Sequence, residues 1–375
     1  MDMGLFLNSL LAVSATIFAF VTVRRRQARD AAVRQHDCHP TTKHWPADIF
    51  FGLDFIIRTH SNFNYMTRCF ARYGLTYQLD SFFGKPTITT IAPENLQAIY
   101  TRFRDFGVEP ERLPPMEYFC GRGFLTTDGE ISQRSRKMMK PTFSKSNISD
   151  LRFLSLEIDQ FIAKVPKNGE TVDLQPLLFL PFLNIALRFL LGVDPHSKSH
   201  DGAPSSSEGF VEAFHAALFG TGLRIILGKF RFLMPKGQYR KDVQRAHEYL
   251  EHYIKRALEE NSGASPLNPQ AGQKQRSMIQ GLAAQVEGEP QMDDIHYIRS
   301  QILQGMMASQ ETTAVLLSNT LFLLARHPKY WEQLRAEVQR AGDELFDFDN
   351  LSNFKLLQNM LNECKSNLTM IFHVC

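Results

Sequence analysis

The sequence predicts a mainly α-helical protein with a small β region, preceded by one N-terminal transmembrane helix. Three observations predict it. Residues 5–23 are apolar over 19 positions, interrupted only by Asn8, Ser9, Ser14, Thr16 and Thr22, which is long enough to cross a bilayer core as a helix. Residues 76–91 hold short β-branched and aromatic runs around Gly84 and Pro86, the pattern of a small hairpin. Beyond them, apolar residues recur at helical spacing almost to the end of the chain.

Taken in order, the apolar run is followed by Arg24, Arg25, Arg26, Arg29 and Arg34, whereas no basic side chain precedes it. Basic residues stay on the cytosolic side, so the bulk of the chain is expected in the cytosol. A cleaved leader fits less well, because the basic cluster lies behind the apolar run and no small-x-small site closes it. After the hairpin, Val243, Ala246, Leu250, Tyr253, Ile254, Ala257 and Leu258 mark a long amphipathic helix. Residues 194–209 and 261–276, crowded with Ser, Pro, Gly and Asp or Asn, read as loops on either side of that region. A second long helix spans about 293–325 and stops before His327 and Pro328. A third spans 329–341 and ends at Gly342, a residue suited to a helix C-terminus.

Composition narrows the function. With 42 basic and 39 acidic residues there is no charge excess to suggest a nucleic-acid partner. Five cysteines, Cys38, Cys69, Cys120, Cys364 and Cys375, lie without CxxC or metal-site spacing, so neither a disulfide framework nor a metal centre built from this chain is expected.

The helix at 293–325 carries the chemistry. Its second half is strongly apolar, yet Ser309, Gln310, Glu311, Thr312 and Thr313 interrupt its middle. Unpaired polar groups in a buried helix cost a few kcal/mol or more, so the interruption needs a reason. One is structural: the threonines bond to carbonyls of the preceding turn and Glu311 reaches solvent. The other is functional: a carboxylate and a hydroxyl in a notch order water and pass protons to a reactant.

Ala308-Ser309-Gln310-Glu311-Thr312-Thr313, followed by an apolar run and His327-Pro328, resembles the oxygen-activating helix of the cytochrome P450 family. Glu311 matches the family's acid and Thr312 its proton-relay threonine, while Ser309 stands where glycine is usual. His327-Pro328-x-x-Trp331-x-x-Leu334-x-x-Glu337 is similar to the start of the family's next helix. The stretch from Gly123 to Glu130 and on to Arg136 resembles the entry to the helix carrying the family's Trp-x-x-x-Arg pattern, with Ser132 in place of the tryptophan. The resemblance implies that Arg136, helped by Arg134, holds a haem propionate, a role that suits a guanidinium's paired donors. Without the resemblance, the same stretch reads as a solvated basic helix.

The resemblance runs to Glu363, where Leu356 to Glu363 is similar to the family's Glu-x-x-Arg helix but Ser366 stands at the arginine position. Serine cannot form the charged clamp, and the glycine-framed cysteine loop that ligates haem iron does not follow. Cys375 lacks the surroundings that stabilise a thiolate, and Cys364 reads as a small buried residue. The expected organisation is therefore a membrane anchor at 1–23, a basic linker at 24–53, an incomplete cytochrome P450-like domain at 54–363 and an aberrant tail at 364–375. The family implies a haem-thiolate monooxygenase of the endoplasmic reticulum membrane, served by an NADPH-dependent reductase and acting on a lipophilic substrate. Gly220 to Leu233 and Asp128-Gly129-Glu130 look most like fungal fatty-acid and alkane hydroxylases. As the chain stands, it is expected not to hold haem stably and to be inactive. The alternative is a non-catalytic membrane protein that competes for the reductase. The abruptness of the change after Glu363 favours a reading-frame or splicing error over gradual decay.

Overall fold

The computed structural model describes residues 3–35, 41–44, 53–62, 64–79, 87–102, 104–196, 202–263, 277–286, 292–342 and 347–369. They form two compact units, Met1–Thr101 and Arg102–Cys375.

In the first unit, α1 (Met3–Gln35) is one uninterrupted helix through the apolar run and the basic stretch behind it. β1 (Thr42–His44), β2 (Thr76–Leu79) and β3 (Thr87–Thr90) make a three-stranded sheet in that order. β2 and β3 pair antiparallel, Thr76 opposite Thr90, which is the expected hairpin; its turn, with Gly84 and Pro86, lies outside the described residues. β1 pairs parallel to β2 through Thr42–Tyr77 and His44–Leu79, a strand that three polar residues did not announce. Helices α2 (Leu53–Ser61) and α3 (Tyr65–Tyr73) supply Phe55, Met66, Cys69 and Phe70 to a small core around the fully buried Tyr77. α4 (Pro93–Thr101) follows the sheet.

The second unit is helical throughout its described residues. α5 (Glu109–Cys120), α6 (Gly129–Met139), the single turn α7 (Lys145–Ile148) and α8 (Arg152–Lys164) lead into α9 (Leu174–Leu191), which Asp173 caps by accepting from Gln175 N at 3.1 Å. Next come α10 (Ser207–Leu227), capped by Ser206, and α11 (Gly237–Gly263), the amphipathic helix expected around Val243 to Leu258. The short α12 (Met278–Ala283) opens with a Ser277/Gln280 capping box. Then α13 (Met292–Arg326), α14 (Pro328–Ala341) and α15 (Lys355–Thr369) complete the unit. Residues 261–263 of the expected loop at 261–276 still belong to α11, and residues 264–276 lie outside the described set.

α13 runs along α9, and α10 packs on α11 and α5, around one core that includes Phe119, Leu187, Phe214, Leu250, Ile254, Ile302 and Met306. α9 and α10 are each long and apolar enough to cross a membrane, yet their inner faces belong to this core. On α10 the buried stripe is Phe210, Ala213, Phe214, Ala217, Thr221 and Arg224, spacings of three and four that place one face inward. Arg224 ends that stripe, donating to Gly220 O and Pro235 O with its guanidinium 3.6 Å from the Tyr239 ring centroid. Phe214 is completely buried, 5.6 Å from the Phe119 ring and 6.0 Å from the Phe210 ring. Phe214→Ala is expected to cost about 3–5 kcal/mol in urea unfolding. Phe219→Ala, on the opposite face and 71% exposed, should change stability by less than about 0.5 kcal/mol. Equal effects would mean that α10 does not present this face to the core.

Candidate functional site

The site is built on α13. Helical geometry puts Tyr297, Gln301, Gln304, Ala308 and Thr312 on one side of it, each within about 80° of the others at 100° per residue. Along this side the burial inverts what hydropathy suggests. Gln301 and Gln304 are completely buried, while the apolar second half of the helix is mostly half-buried, with Phe322 52% exposed.

The glutamines are buried because the turn after α5 wraps over them. Gln304 Oε1 accepts from Leu125 N at 2.8 Å, and its Nε2 donates to Cys120 O at 3.1 Å, Gly121 O at 3.3 Å and Thr126 Oγ1 at 3.1 Å. Gln301 Nε2 donates to Arg122 O at 3.4 Å. The turn is also tied internally: Thr126 Oγ1 donates to Gly121 O and accepts from Gly123 N, and Thr127 Oγ1 donates to Gly123 O. At its far end Asp128 caps α5, accepting from Val108 N and Glu109 N at 3.0 and 2.9 Å. Glu109 returns the contact by accepting from Asp128 N and pairing with Arg122.

α6 starts directly from this strap, with Asp128 as its N-cap residue. Ser135, fully buried, accepts from Tyr297 Oη at 3.3 Å, and the Arg134 guanidinium lies 5.5 Å from the Tyr297 ring centroid. Arg136 sits in the last turn of α6, exposed, and among the described residues its guanidinium forms no ion pair or hydrogen bond. Ser132, at the tryptophan position of the resemblance, donates to Phe124 O at 3.5 Å.

Beyond the strap, the same side of α13 opens. On it Ala308 and Thr312 are exposed, and on the adjoining face so are Ser309 and Thr313. Thr312 Oγ1 donates to Ala308 O at 2.7 Å, Thr313 Oγ1 to Ser309 O at 2.9 Å and Ser309 Oγ to Met306 O at 3.3 Å. The structure thus adopts the backbone-bonded arrangement, which leaves the Thr312 oxygen free to accept while its proton is held on the helix. Glu311 belongs to α13, but its side chain lies outside the described residues. Gln310 turns to the opposite side, 1% exposed, with Nε2 2.8 Å from His215 Nε2 on α10 and Oε1 buried without a partner among the described residues.

Haem is the group this pattern raises, and the side chains test it. A wall of small residues at 308, 309 and 312 and an exposed guanidinium at Arg136, without an ion pair among the described residues, fit a flat ring with anionic edges. The described cysteines do not fit its axial thiolate. Burial pushes the Cys69 and Cys120 thiols up, favouring the neutral form, and Cys364 is buried in α15. Cys38 and Cys375 lie outside the described residues. Glu363 is exposed on α15; the Ser366 side chain is outside the described set. A cavity of about 470 Å³ lined by Asp194, Ser205, Tyr253, Arg256 and Glu260 holds none of the motif residues and is not the site.

Sequence reasoning named Arg134, Arg136, Glu311 and Thr312; it did not name Tyr297, Gln301, Gln304 or His215, which the structure places on or against the same helix. The signal was present as Gln301, Gln304 and Gln310, spaced three and six apart on one helix, but their partners come from about 180 residues earlier in the chain for the first two and 95 for the third.

Comparison with known proteins agrees with this architecture. Residues 42–364 match the cytochrome P450 family. Cytochrome P450 monooxygenase iccC of Talaromyces variabilis is 30% identical over 355 residues, covering 90% of this chain and 67% of that protein. Cytochrome P450 monooxygenase fsdH of Fusarium heterosporum is 29% identical over 380 residues, covering 95% and 64%. The chain therefore spans about two thirds of the length of these relatives. The crystal structure of the cytochrome P450DA heme domain shares the fold, with a TM-score of 0.64 over 87% of this chain and 69% of that one at 18% identity. With a match that begins at the first strand and ends within the last helix, the chain belongs to the cytochrome P450 family.

Proposed function

We propose that this chain supplies the oxygen-side wall and the propionate contacts of a haem-thiolate monooxygenase that hydroxylates a lipophilic substrate of fatty-acid or alkane type. The observation that carries the reading is the open side of α13 at Ala308, Ser309 and Thr312, continuing the stripe that packs under the strap leading to Arg136. Arg136, with Arg134 beside it, would hold the propionates through charge-assisted hydrogen bonds. When bound, haem supplies the binding of dioxygen and the oxidising power for the reaction.

The chain's own part is positioning and proton handling. The small side chains at 308 and 309 let a flat ring approach the helix. The Thr312 hydroxyl accepts a hydrogen bond at its free lone pair while it donates to Ala308 O; passing its proton requires it to release that carbonyl. Glu311 is assigned the role of resupplying that proton from solvent. Electrons would come from an NADPH-dependent reductase. The apolar run at 5–23 would anchor residues 24–375 on the cytosolic face of the endoplasmic reticulum membrane, with 24–53 as a basic linker, 54–363 as the haem-protein domain and 364–375 as a separate tail. Because no described cysteine offers a thiolate, residues 1–375 by themselves are assigned no monooxygenase turnover.

Titration of the full chain in detergent with haemin tests the reading. Saturable binding is expected, weakened about tenfold by Arg136→Gln, the worth of one charge-assisted hydrogen bond. Thr312→Ala should leave it unchanged. The carbon monoxide difference spectrum should lack a thiolate-type band. Binding indifferent to Arg136 would overturn the assignment of the propionate site, and a thiolate-type band would overturn the assignment of no turnover.

A further inference from the structure

We infer that Gln304 is a positioning residue for the anionic edge of the haem: its amide fixes the strap at 120–127, and through it the place at which α6 carries Arg134 and Arg136. The inference rests on the proposal above that Arg136 meets a propionate. It adds a residue that touches neither haem nor substrate and that no family pattern named in the sequence.

Gln304 is completely buried, and its amide is used at both ends, accepting from one backbone N–H and donating toward three acceptors. A leucine there would fill similar space but would leave Leu125 N–H and the Cys120 carbonyl without this partner, and a buried polar group left unpaired is destabilising. The approach is close as well. A Cβ on Gly123 would stand 2.8 Å from the amide atoms of both Gln301 and Gln304, so the strap lies directly on the amides with no layer of side chains between.

From the strap to α6 there is no slack. Thr127 is held to Gly123, Asp128 caps α5 while serving as the N-cap residue of α6, and Gly129 is the first residue of the helix. Arg136 lies seven residues further along, about 10 Å of helix. A second tie, Tyr297 Oη to Ser135 Oγ, fixes the far end of α6 to the same side of α13. The strap therefore sets the start of a rigid rod and Tyr297 steadies its end. A shift at Gln304 moves the start of the helix and so tilts it about the Tyr297–Ser135 contact, which re-aims Arg136 beside that contact, and charge-assisted hydrogen bonds weaken steeply with misalignment.

The test is a double-mutant cycle on the full chain in detergent, read as the dissociation constants of haemin and of haemin dimethyl ester, whose propionates are esterified. Gln304→Met is expected to weaken haemin about tenfold and the diester less than about twofold; in an Arg136→Gln background it should have almost no further effect on haemin. Gln304→Asn, which keeps an amide donor and acceptor on a shorter arm, is expected to fall between wild type and Gln304→Met and serves if the methionine variant does not fold. Equal weakening of haemin and diester, or additivity with Arg136→Gln, would show a merely structural role and overturn the inference. If Arg136→Gln weakens haemin but neither Gln304 variant does, only this inference fails. If Arg136→Gln leaves haemin binding unchanged, the propionate site fails and this inference falls with it.

Discussion

Gly121→Ala is expected to destabilise the Arg102–Cys375 unit by about 4 kcal/mol, from two separable causes. Gly121 has φ 64° and ψ −162°, a region open essentially to glycine alone, where another residue costs of order 1–3 kcal/mol. A Cβ there would also lie 2.0 Å from Ser300 Oγ and 2.9 Å from Ser300 Cβ, an overlap that α13 must relieve at a further 1–3 kcal/mol or so. Ser300 is itself easily dispensed with, because its hydroxyl only bonds back to His296 O at 2.8 Å within the helix. Ser300→Gly removes the obstruction at about 1 kcal/mol of helix propensity. The double variant should then be about 2 kcal/mol more stable than the sum of the single changes. Additive urea midpoints would mean that the strap does not lie against α13 at this point.

Acid should loosen the same region through His247. Its Nε2 donates to Phe119 O at 2.8 Å, one residue before the strap begins, and its ring stacks on Phe119 with centroids 6.3 Å apart. Burial, reinforced by the nearby Arg299 guanidinium, pushes this histidine down from 6.5 to about 4. The unfolded chain therefore takes up a proton below about pH 6.5 that the folded chain refuses until about pH 4. Stability contributed by the neutral ring is complete above pH 6.5, falls by about 1.4 kcal/mol per pH unit below it and levels off near pH 4, a total of about 3 kcal/mol. His247→Gln keeps an N–H for Phe119 O and cannot titrate, so its unfolding free energy should vary less between pH 7 and pH 4.5 by about that amount. Parallel pH profiles for the two proteins would remove His247 as the cause.

Each of these effects depends on contacts between segments far apart in the chain, and that separates what was legible in the sequence from what was not. Elements driven by local pattern came through. The proline after His327 stops α13, Gly342 at φ 51° closes α14, and the heptad-like spacing of Val243 to Leu258 makes α11. The family followed from the motif at 308–313 in order with His327-Pro328 and the stretch ending at Arg136. The sequence by itself determined the helical class and the family, because periodicity, breakers and short motifs are properties of neighbouring residues.

Only the tertiary structure decided which side of α13 is covered. Hydropathy assigns burial by side-chain type and so favoured the apolar second half of the helix. In the folded chain a glutamine amide is buried as readily as a leucine when a backbone turn arrives with matching donors and acceptors, and that turn comes from residues 120–126. The parallel pairing of β1 with β2, the His215–Gln310 contact and the Arg224 clasp on Tyr239 arise in the same way. Each joins groups whose pairing carries no local signature, so their positions are fixed by the packing of whole helices and strands and not by the residues beside them.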